Sequence, residues 1–469
     1  RRSSDLDSDF TSRIPAAIFS IATIGFIWKY RRYLGKIGSL TAAGMMLISP
    51  YMIYYGRYVR NEAFSALFGV VTLWALLRYL ETQKARYLYW LTAATVLHFT
   101  AKETAFIYTA QAMLFLGFYF VFQVIQKNWK YDQYLNFFLI ALIVAALFIG
   151  IAFIGQRLPN QSLPSGKEGV PAEETNAPPS VVTIASLMIS ILSLFAALYF
   201  SIRGYTWEKL KNLPAFSALL LLGTLILPQL APFPAQALGW NPTDYSQAGM
   251  IRTGIIVGIL AALSITIGLA WNAKVWLINA AIFYIPFTIF YTTVFTNGPG
   301  FFTGLVGSLG YWLEQHGVER GSQPWYYYWL IQIPIYEYLP ALISGITMIG
   351  IGINRLKNMG MFSLDEKPEK KLPSQTLAAI LLSFWTITSL IAYTIAGEKM
   401  PWLTVHITFP MILLSGLGIQ KLVDRISFSK LREENLGVMV LLLLIFLLGF
   451  VKVIGGILAE PDPEGSVQQ

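Results

Sequence analysis

The sequence predicts an all-α polytopic membrane protein with about 14 transmembrane helices. Two observations carry this prediction. Only 13% of the 469 residues are charged and 55% are hydrophobic, whereas about a quarter of the residues in a soluble chain are charged. Apolar runs of about twenty residues, each long enough to cross a bilayer as a helix, recur along the whole chain. The lipid bilayer is therefore the first predicted partner.

Each predicted span is an apolar run bounded by charged, glycine-rich or proline-rich residues. The spans are predicted at residues 14–31, 38–56, 62–80, 87–101, 104–125, 134–155, 180–202, 213–230, 250–271, 275–295, 338–354, 376–396, 403–420 and 436–458. The fourth run is short and continues into the fifth through Lys102 and Glu103. This arrangement predicts a tight turn or a broken helix at that pair.

The basic residues predict how the spans are oriented. Of the 34 lysines and arginines, 22 fall in alternate loops that start with residues 29–36 and 78–86. Positively charged loops stay in the cytoplasm, so we predict a multi-pass protein of the cytoplasmic membrane with both chain ends outside. This topology also explains the formal net charge of +9, and nucleic acid is not a predicted partner. The chain has no cysteine, which excludes disulfides and thiol chemistry.

We treat residues 1–469 as a single transmembrane domain with three segments of distinct composition. Residues 156–179 are rich in Pro, Ser, Gly and Glu, which predicts a flexible outer loop. Residues 296–337 combine many glycines with Trp and Tyr, which is typical of amphipathic or re-entrant helices at the headgroup level of the outer face. Residues 357–375 are highly charged and are predicted to form a cytoplasmic linker.

Several ionisable side chains fall at the predicted outer ends of spans, where charge is costly and often lines a functional cavity. If residues 54–62 are helical, Arg57 and Arg60 share one face. Each charge alone is explained as well by a side chain that extends to the headgroups; together they favour one shared site for a lipid-linked phosphate, because Arg and Lys suit phosphate oxygens. The candidate catalytic carboxylates are Glu62 and Glu103, which could deprotonate an acceptor hydroxyl or fix the cations. The candidate substrate-binding residues are Arg57, Arg60, Asn61, Lys102, Arg320, Trp325, Tyr326, Glu398, Lys399 and His406.

Two histidines are candidate metal ligands, and a divalent cation is the corresponding candidate cofactor. His316 has Glu314 and Glu319 nearby in sequence, and His406 follows Glu398. The spacing argues against a closed metal site, which needs more converging ligands. The sequence contains no Walker loop and no Rossmann glycine pattern, so a nucleotide sugar or ATP is not an expected substrate.

The sequence around these candidates resembles a known superfamily. Residues 49–62, SPYMIYYGRYVRNE, resemble the SP…YYSR(F/Y)xR(N/P)D segment of membrane glycosyltransferases of the GT-C fold, which include protein O-mannosyltransferases and the aminoarabinose transferases of lipid A. Residues 101–104 resemble the (S/T)KE turn of those enzymes. Residues 311–328 and 396–406 are similar to the YW…QHxVxRGxQPWYYY and GEKMPWLxxH signatures of the flippase-activity-associated membrane proteins, which are generally placed among the same glycosyltransferases.

The resemblance implies transfer of a sugar from a polyprenyl-phosphate carrier to an acceptor glycan, lipid or protein on the extracytoplasmic side of the cell envelope. It implies that Arg57, Arg60 and Lys102 lie near the carrier phosphate, and it puts Glu62 where the family has its second acidic residue. The family's first span and an outer loop with an Asp-Glu pair, thought to include the catalytic base, should precede residue 1. We therefore expect a fragment, a base in another polypeptide, or a non-catalytic protein.

Two other functions are open at this stage. The family label suggests a flippase or transporter component for lipid-linked oligosaccharides. A transporter should show inverted halves and polar broken helices at mid-membrane, and the sequence shows neither clearly. The second alternative is a non-catalytic structural subunit that assembles with other membrane subunits. An acidic pair after one further upstream span would favour the enzyme.

Overall fold

The computed structural model describes residues 9–155, 181–315, 323–359, 372–397 and 399–426, together with five single positions between 437 and 447. Helices dominate this part of the chain, and it contains no strand. Eight of its helices are long and apolar enough to cross a membrane, or up to ten if each of two bent helix pairs counts as one span. The predicted all-α polytopic membrane fold is confirmed. The total of 14 spans stays a prediction.

The chain order of the helices follows the order of the predicted apolar runs. The α-helices in the described residues are α1 Asp9–Ile27, α2 Arg31–Leu34, α3 Lys36–Ile48, α4 Pro50–Gly56, α5 Glu62–Thr82, α6 Ala85–Ala101, α7 Thr104–Ile125, α8 Asp132–Gly155, α9 Val181–Tyr205, α10 Trp207–Leu210, α11 Pro214–Ile226, α12 Pro232–Ala237, α13 Gln247–Tyr291, α14 Gly300–Gln315, α15 Ile333–Tyr336, α16 Tyr338–Met359, α17 Ser374–Ile395 and α18 Thr404–Val423. A π-helix, Tyr327–Gln332, precedes α15.

Three predicted segments lie wholly or largely outside this description. They are the outer loop at 156–179, the central part of the linker at 357–375, and the last predicted span at 436–458. In the segment at 296–337 the structure describes α14, the π-helix and α15. Its predicted place at the headgroup level stays a prediction.

The ninth and tenth predicted spans form one element of 45 residues, α13, which is interrupted at Asn272. Asn272 has the extended backbone angles φ −161° and ψ 96°. The element is therefore two helices joined at a kink. Its side-chain Oδ1 accepts a hydrogen bond from the backbone N–H of Val275 at 3.1 Å. The amide thus caps the start of the second half, which is why the chain can turn here with no loop.

Two helix pairs are sharply bent, at positions where the sequence analysis did not predict a break. α3 and α4 meet at 67° around Ser49, and Tyr327–Tyr336 meets Tyr338–Ile353 at 111° around Glu337. The first bend follows from Pro50, because a proline disfavours the helical conformation of the residue before it. Ser49 accordingly has φ −67° and ψ 122°.

The centre of the bundle consists of α5 and α18, which are the most buried of the candidate spans. α8 packs mainly against α9, and both expose most of their apolar side chains, as helices that face lipid do. The two central helices begin at the same end of the bundle. Tertiary burial, and not hydropathy alone, therefore marks the part of the protein where polar groups are brought together.

A glutamate at each end of α5 forms ion pairs with basic residues. Glu62 begins the helix, and Glu81, about 30 Å away at 1.5 Å per residue, accepts hydrogen bonds from Arg32 Nε at 2.7 Å and Arg78 Nη1 at 2.8 Å. The Ser374 hydroxyl at the start of α17 also donates to Glu81, at 2.9 Å. The Glu81 end carries the loops that are predicted to be cytoplasmic, so Glu62 lies at the end predicted to face outward.

The orientation can be tested with single engineered cysteines, because the chain has none of its own. A cysteine in residues 357–375 should react with a membrane-impermeant maleimide only from the cytoplasmic side, and one in residues 156–179 only from the outside. The measurement is the extent of labelling in sealed vesicles of both orientations. Reaction of both cysteines from the same side would contradict the predicted arrangement of spans.

Candidate functional site

A turn of two residues between α6 and α7 carries the first functional side chain. Lys102 has an extended backbone, φ −163° and ψ 147°, and therefore ends α6. Its side chain is 13% exposed, and Nζ donates to Oε1 of Glu62, whose side chain is 1% exposed. A buried carboxylate is stable only when it is paired and hydrogen-bonded. Lys102 is the principal partner of this carboxylate.

Arg60 is the second cation on the same carboxylate. Its Nε lies 3.5 Å from Oε2 of Glu62, and its guanidinium stacks on the ring of Trp402, with Cζ 3.6 Å from the ring centroid. This stacking fixes the plane of the guanidinium, because Arg combines a planar charge with weak hydration. Our sequence analysis did not name Trp402 as a site residue, although it lies inside the GEKMPWLxxH signature.

The segment between α4 and α5 is not helical, so the condition under which Arg57 and Arg60 would share a helical face is not met. α4 ends at Gly56, residues 57–60 are bends, and Asn61 lies in a turn. Asn61 Nδ2 donates to the backbone carbonyl of Ala101 at 2.7 Å, which satisfies one of the free carbonyls at the end of α6. Arg57 is exposed, and its side chain pairs with no residue in the described part of the chain.

Polar groups continue beneath the ion pair. His406 of α18 is fully buried, and its Nδ1 lies 3.1 Å from the hydroxyl of Tyr108. Its ring stacks on Tyr393, with centroids 5.4 Å apart. His406 Nε2 and the Tyr393 hydroxyl have no hydrogen-bond partner among the described residues. Such buried groups require an explanation, and a polar ligand is one.

Glu62 also lines a narrow cavity. The cavity lies between α1, α4 and α5, and Ser20, Thr23 and Tyr55 contribute its polar lining. Glu62 Oε2 is a buried atom without a hydrogen-bond partner in the described residues, although Arg60 lies near it. The carboxylate therefore contacts both the two cations and a cavity that is otherwise mostly apolar.

For two other predicted site residues, the structure shows no ion pair with this group. Glu103 is exposed at the start of α7 and makes no ion pair with a described residue. Lys399 Nζ donates to the carbonyl of Ala396 at 3.2 Å, at the end of α17.

The predicted aromatic residues are connected to the site through the chain that follows them. Trp325 is 64% exposed, and Tyr326 is partly exposed beside it. Two residues further on, the Tyr328 hydroxyl donates to the carbonyl of Met400 at 3.1 Å, which ties the aromatic segment to the loop that carries Trp402. The remaining candidates, Arg320, Glu398 and His316, lie outside the described residues.

The candidate metal ligands do not come together in the described part of the chain, where no three His, Cys, Asp or Glu side chains are placed to hold an ion. His406 faces Tyr108 and Tyr393. Its predicted companion Glu398, and all of the His316 group except Glu314, lie outside the described residues. The divalent cation stays a prediction.

One comparison with known proteins covers the first part of the chain, including several candidate site residues. Residues 5–150 match the family model described as dolichyl-phosphate-mannose-protein mannosyltransferase. The chain is similar to membrane glycosyltransferases of the GT-C type. The match includes residues 57–62 and the Lys102 turn, and the resemblance of the chain to this superfamily is confirmed. The narrower resemblance to the flippase-activity-associated proteins stays a prediction, because both signatures lie beyond residue 150. No curated protein and no solved structure matches the chain.

Proposed function

We propose that this protein is a glycosyltransferase of the cytoplasmic membrane that takes a sugar from a polyprenyl-phosphate carrier. Transfer takes place on the extracytoplasmic side, to a glycan, lipid or protein acceptor. The observation that supports this most directly is Glu62, buried between Lys102 and Arg60 at the end of a central span. The class of glycosyltransferase agrees with the family match over the same residues.

The charges at this site suit a phosphate. Arg57, Arg60 and Lys102 supply three cations, and Glu62 supplies one carboxylate, so positive charge is in excess. Arg60 Nε lies 3.5 Å from Glu62 Oε2, and the two terminal nitrogens of the guanidinium carry further donors for an oxygen ligand. Arg57 is exposed beside them. Charge-assisted hydrogen bonds from Arg and Lys are the strong contacts in phosphate recognition.

The same cations assist bond cleavage. As the acceptor oxygen bonds to the anomeric carbon of the sugar, the acceptor loses its proton to a base and the bond between that carbon and the phosphate oxygen breaks. The polyprenyl phosphate leaves with one more negative charge than it had as a diester. Fixed cations aimed at developing charge lower the barrier. Glu62 holds Lys102 and Arg60 in place for this, and the exposed Glu103 is the described candidate for the base.

The exposed aromatic residues supply a surface for the rest of the donor. Trp325 and Tyr326 present ring faces next to the segment that is bound to Met400. Aromatic rings stack on sugar faces, and Trp and Tyr prefer the membrane interface. The donor phosphate would then lie at Arg60 and Lys102, and its sugar or the first isoprene units at these rings.

Binding of a defined donor in lipid nanodiscs tests the proposal. The full chain should bind dolichyl-phosphate-mannose, and dolichyl phosphate should compete, because the phosphate carries the charge-assisted contacts. Dolichol of the same length is the matched control and should compete at least tenfold less well. Equal competition by dolichol and dolichyl phosphate would exclude phosphate recognition. Transfer is then measured as release of labelled mannose to membrane acceptors.

Transport of a lipid-linked oligosaccharide is a second candidate, favoured by the two bent helix pairs. Broken helices with polar residues at the break are a feature of transporters, and Ser49 and Glu337 lie at the two breaks. The nanodisc assay separates the candidates. A transporter leaves the bond between sugar and phosphate intact, whereas the enzyme cleaves it.

A further inference from the structure

The two bends of the fold touch each other. Glu337, which connects α15 to α16, is 1% exposed. Its Oε1 accepts a hydrogen bond from the Ser49 hydroxyl at 2.6 Å and another from the backbone N–H of Tyr51 at 3.1 Å. Both donors lie at the bend between α3 and α4. The ring of Tyr336 also packs edge-on against Tyr51, with centroids 5.5 Å apart.

Glu337 pairs with the first turn of α4, where a backbone N–H would otherwise lack a hydrogen-bond acceptor. The first turn of a helix has backbone N–H groups without partners inside the helix. Pro50 has none, the N–H of Met52 donates to Ser49 Oγ at 3.2 Å, and that of Ile53 donates to Ser49 O at 3.0 Å. The backbone N–H of Tyr51 is the remaining donor of this turn, and Glu337 Oε1 accepts its hydrogen bond. Without Glu337 this buried donor is unpaired, and Ser49 loses the acceptor for its hydroxyl.

α4 is short enough to transmit this contact to the site. It has seven residues and ends at Gly56, immediately before Arg57. Tyr55 stacks on Tyr51 with centroids 5.9 Å apart and ring planes within 5°, and the Gly56 carbonyl accepts from Ser20 Oγ at 2.8 Å. A seven-residue helix held at both ends moves as one body, so its first turn sets the position of residues 57–62.

We propose that Glu337 is a positioning residue for the carrier site. It fastens the bend of α3 and α4 to the bend at α15 and α16, and thereby holds residues 57–62 against Lys102 and Trp402. The same contact ties the aromatic segment before α15 to the cationic segment after α4. The inference rests on the proposed function in that residues 57–62 bind the donor phosphate, but the coupling itself is a property of the fold.

Hydrogen exchange tests the coupling without a substrate. Glu337→Ala should speed exchange of the amides at 51–62 by about tenfold or more, because the opening of a segment follows its local stability. Glu337→Gln should stay close to wild type, since its amide oxygen keeps both accepted bonds and its nitrogen replaces Oε2, which has no partner among the described residues. Ser415→Ala is the matched control. It removes a buried bond of 3.0 Å to Pro340 O, near the same junction, without touching α4.

Donor binding completes the test. Glu337→Ala should weaken the binding of dolichyl-phosphate-mannose in nanodiscs by about tenfold, and Glu337→Gln and Ser415→Ala should bind like wild type. If Glu337→Ala does not fold, Ser49→Ala replaces it and should show smaller changes of the same kind. Unchanged exchange in Glu337→Ala, or Glu337→Gln as impaired as Glu337→Ala, overturns the positioning role. Wild-type protein that does not bind the probe contradicts the proposed function, and the exchange result still decides the coupling.

Discussion

A Lys102→Met variant should lose sugar transfer and unfold at a lower temperature than wild type, and adding Glu62→Gln should restore the stability without restoring the transfer. The single change leaves the carboxylate of Glu62, 1% exposed, with Arg60 at 3.5 Å as its nearest cation. Removing one partner of a buried pair costs about 3–5 kcal/mol, whereas neutralising both partners is often without cost. Arg60 remains, so we expect the lower end of that range.

Thermal unfolding in detergent and transfer from dolichyl-phosphate-mannose in nanodiscs are the two measurements. Lys211→Met is the matched control, because Lys211 pairs with Glu208 at 2.7 Å, and Glu208 is 73% exposed. Exposed pairs contribute little, so this control should keep both stability and transfer. A double variant as unstable as Lys102→Met would mean that the pair is not the source of the stability. Transfer by the double variant would remove Lys102 from the proposed phosphate site.

Arg57→Ala should weaken donor binding by about 1.5–3 kcal/mol, roughly 10- to 150-fold, and leave the unfolding temperature unchanged. The reason is that Arg57 is exposed, and its side chain pairs with no described residue, so its interactions are available to the donor phosphate. Arg57→Lys should also weaken binding if the contact is bidentate, because lysine cannot reproduce the guanidinium fork. The measurement is the Kd for dolichyl-phosphate-mannose in nanodiscs.

Arg203→Ala is the control for Arg57. Arg203 lies near the end of α9, on the side predicted to be cytoplasmic, and its Nε bonds only weakly, at 3.2 Å, to the Tyr199 hydroxyl. Its removal takes away one positive charge without touching the candidate site, so donor binding should not change. Equal losses in Arg57→Ala and Arg203→Ala would indicate a general effect of net charge and contradict a direct contact at Arg57.

The helices could be predicted from sequence because the bilayer imposes a simple rule. Backbone groups in lipid must bond within their own segment, so the length and hydropathy of a run define a span. α7, Thr104–Ile125, agrees with its predicted bounds, and α5 with one of its two. The bend at Ser49 follows from Pro50 and could have been predicted. The bend at Glu337 involves contacts with Ser49 and Tyr51, more than 280 residues away, and no local pattern indicates it.

The candidate site was also predictable only in part from the sequence. Glu62, Arg60 and Lys102 could be predicted as a group because charges at the ends of adjacent spans are costly unless they are paired. Their detailed geometry could not, since the turn at 57–61 replaces the expected helix. Trp402 and Glu337 act through tertiary contacts, and periodicity in the sequence carries no information about which distant segment a side chain will meet.

The pairing of charges at both ends of α5 has a mechanical consequence. An axial shift of one helical turn would move Glu62 and Glu81 by about 5.4 Å and would break the contacts with Lys102 at one end and with Arg32 and Ser374 at the other. α5 is thus a fixed strut between the two faces of the membrane. A rearrangement that keeps these contacts therefore leaves α5 in register and involves other helices of the bundle.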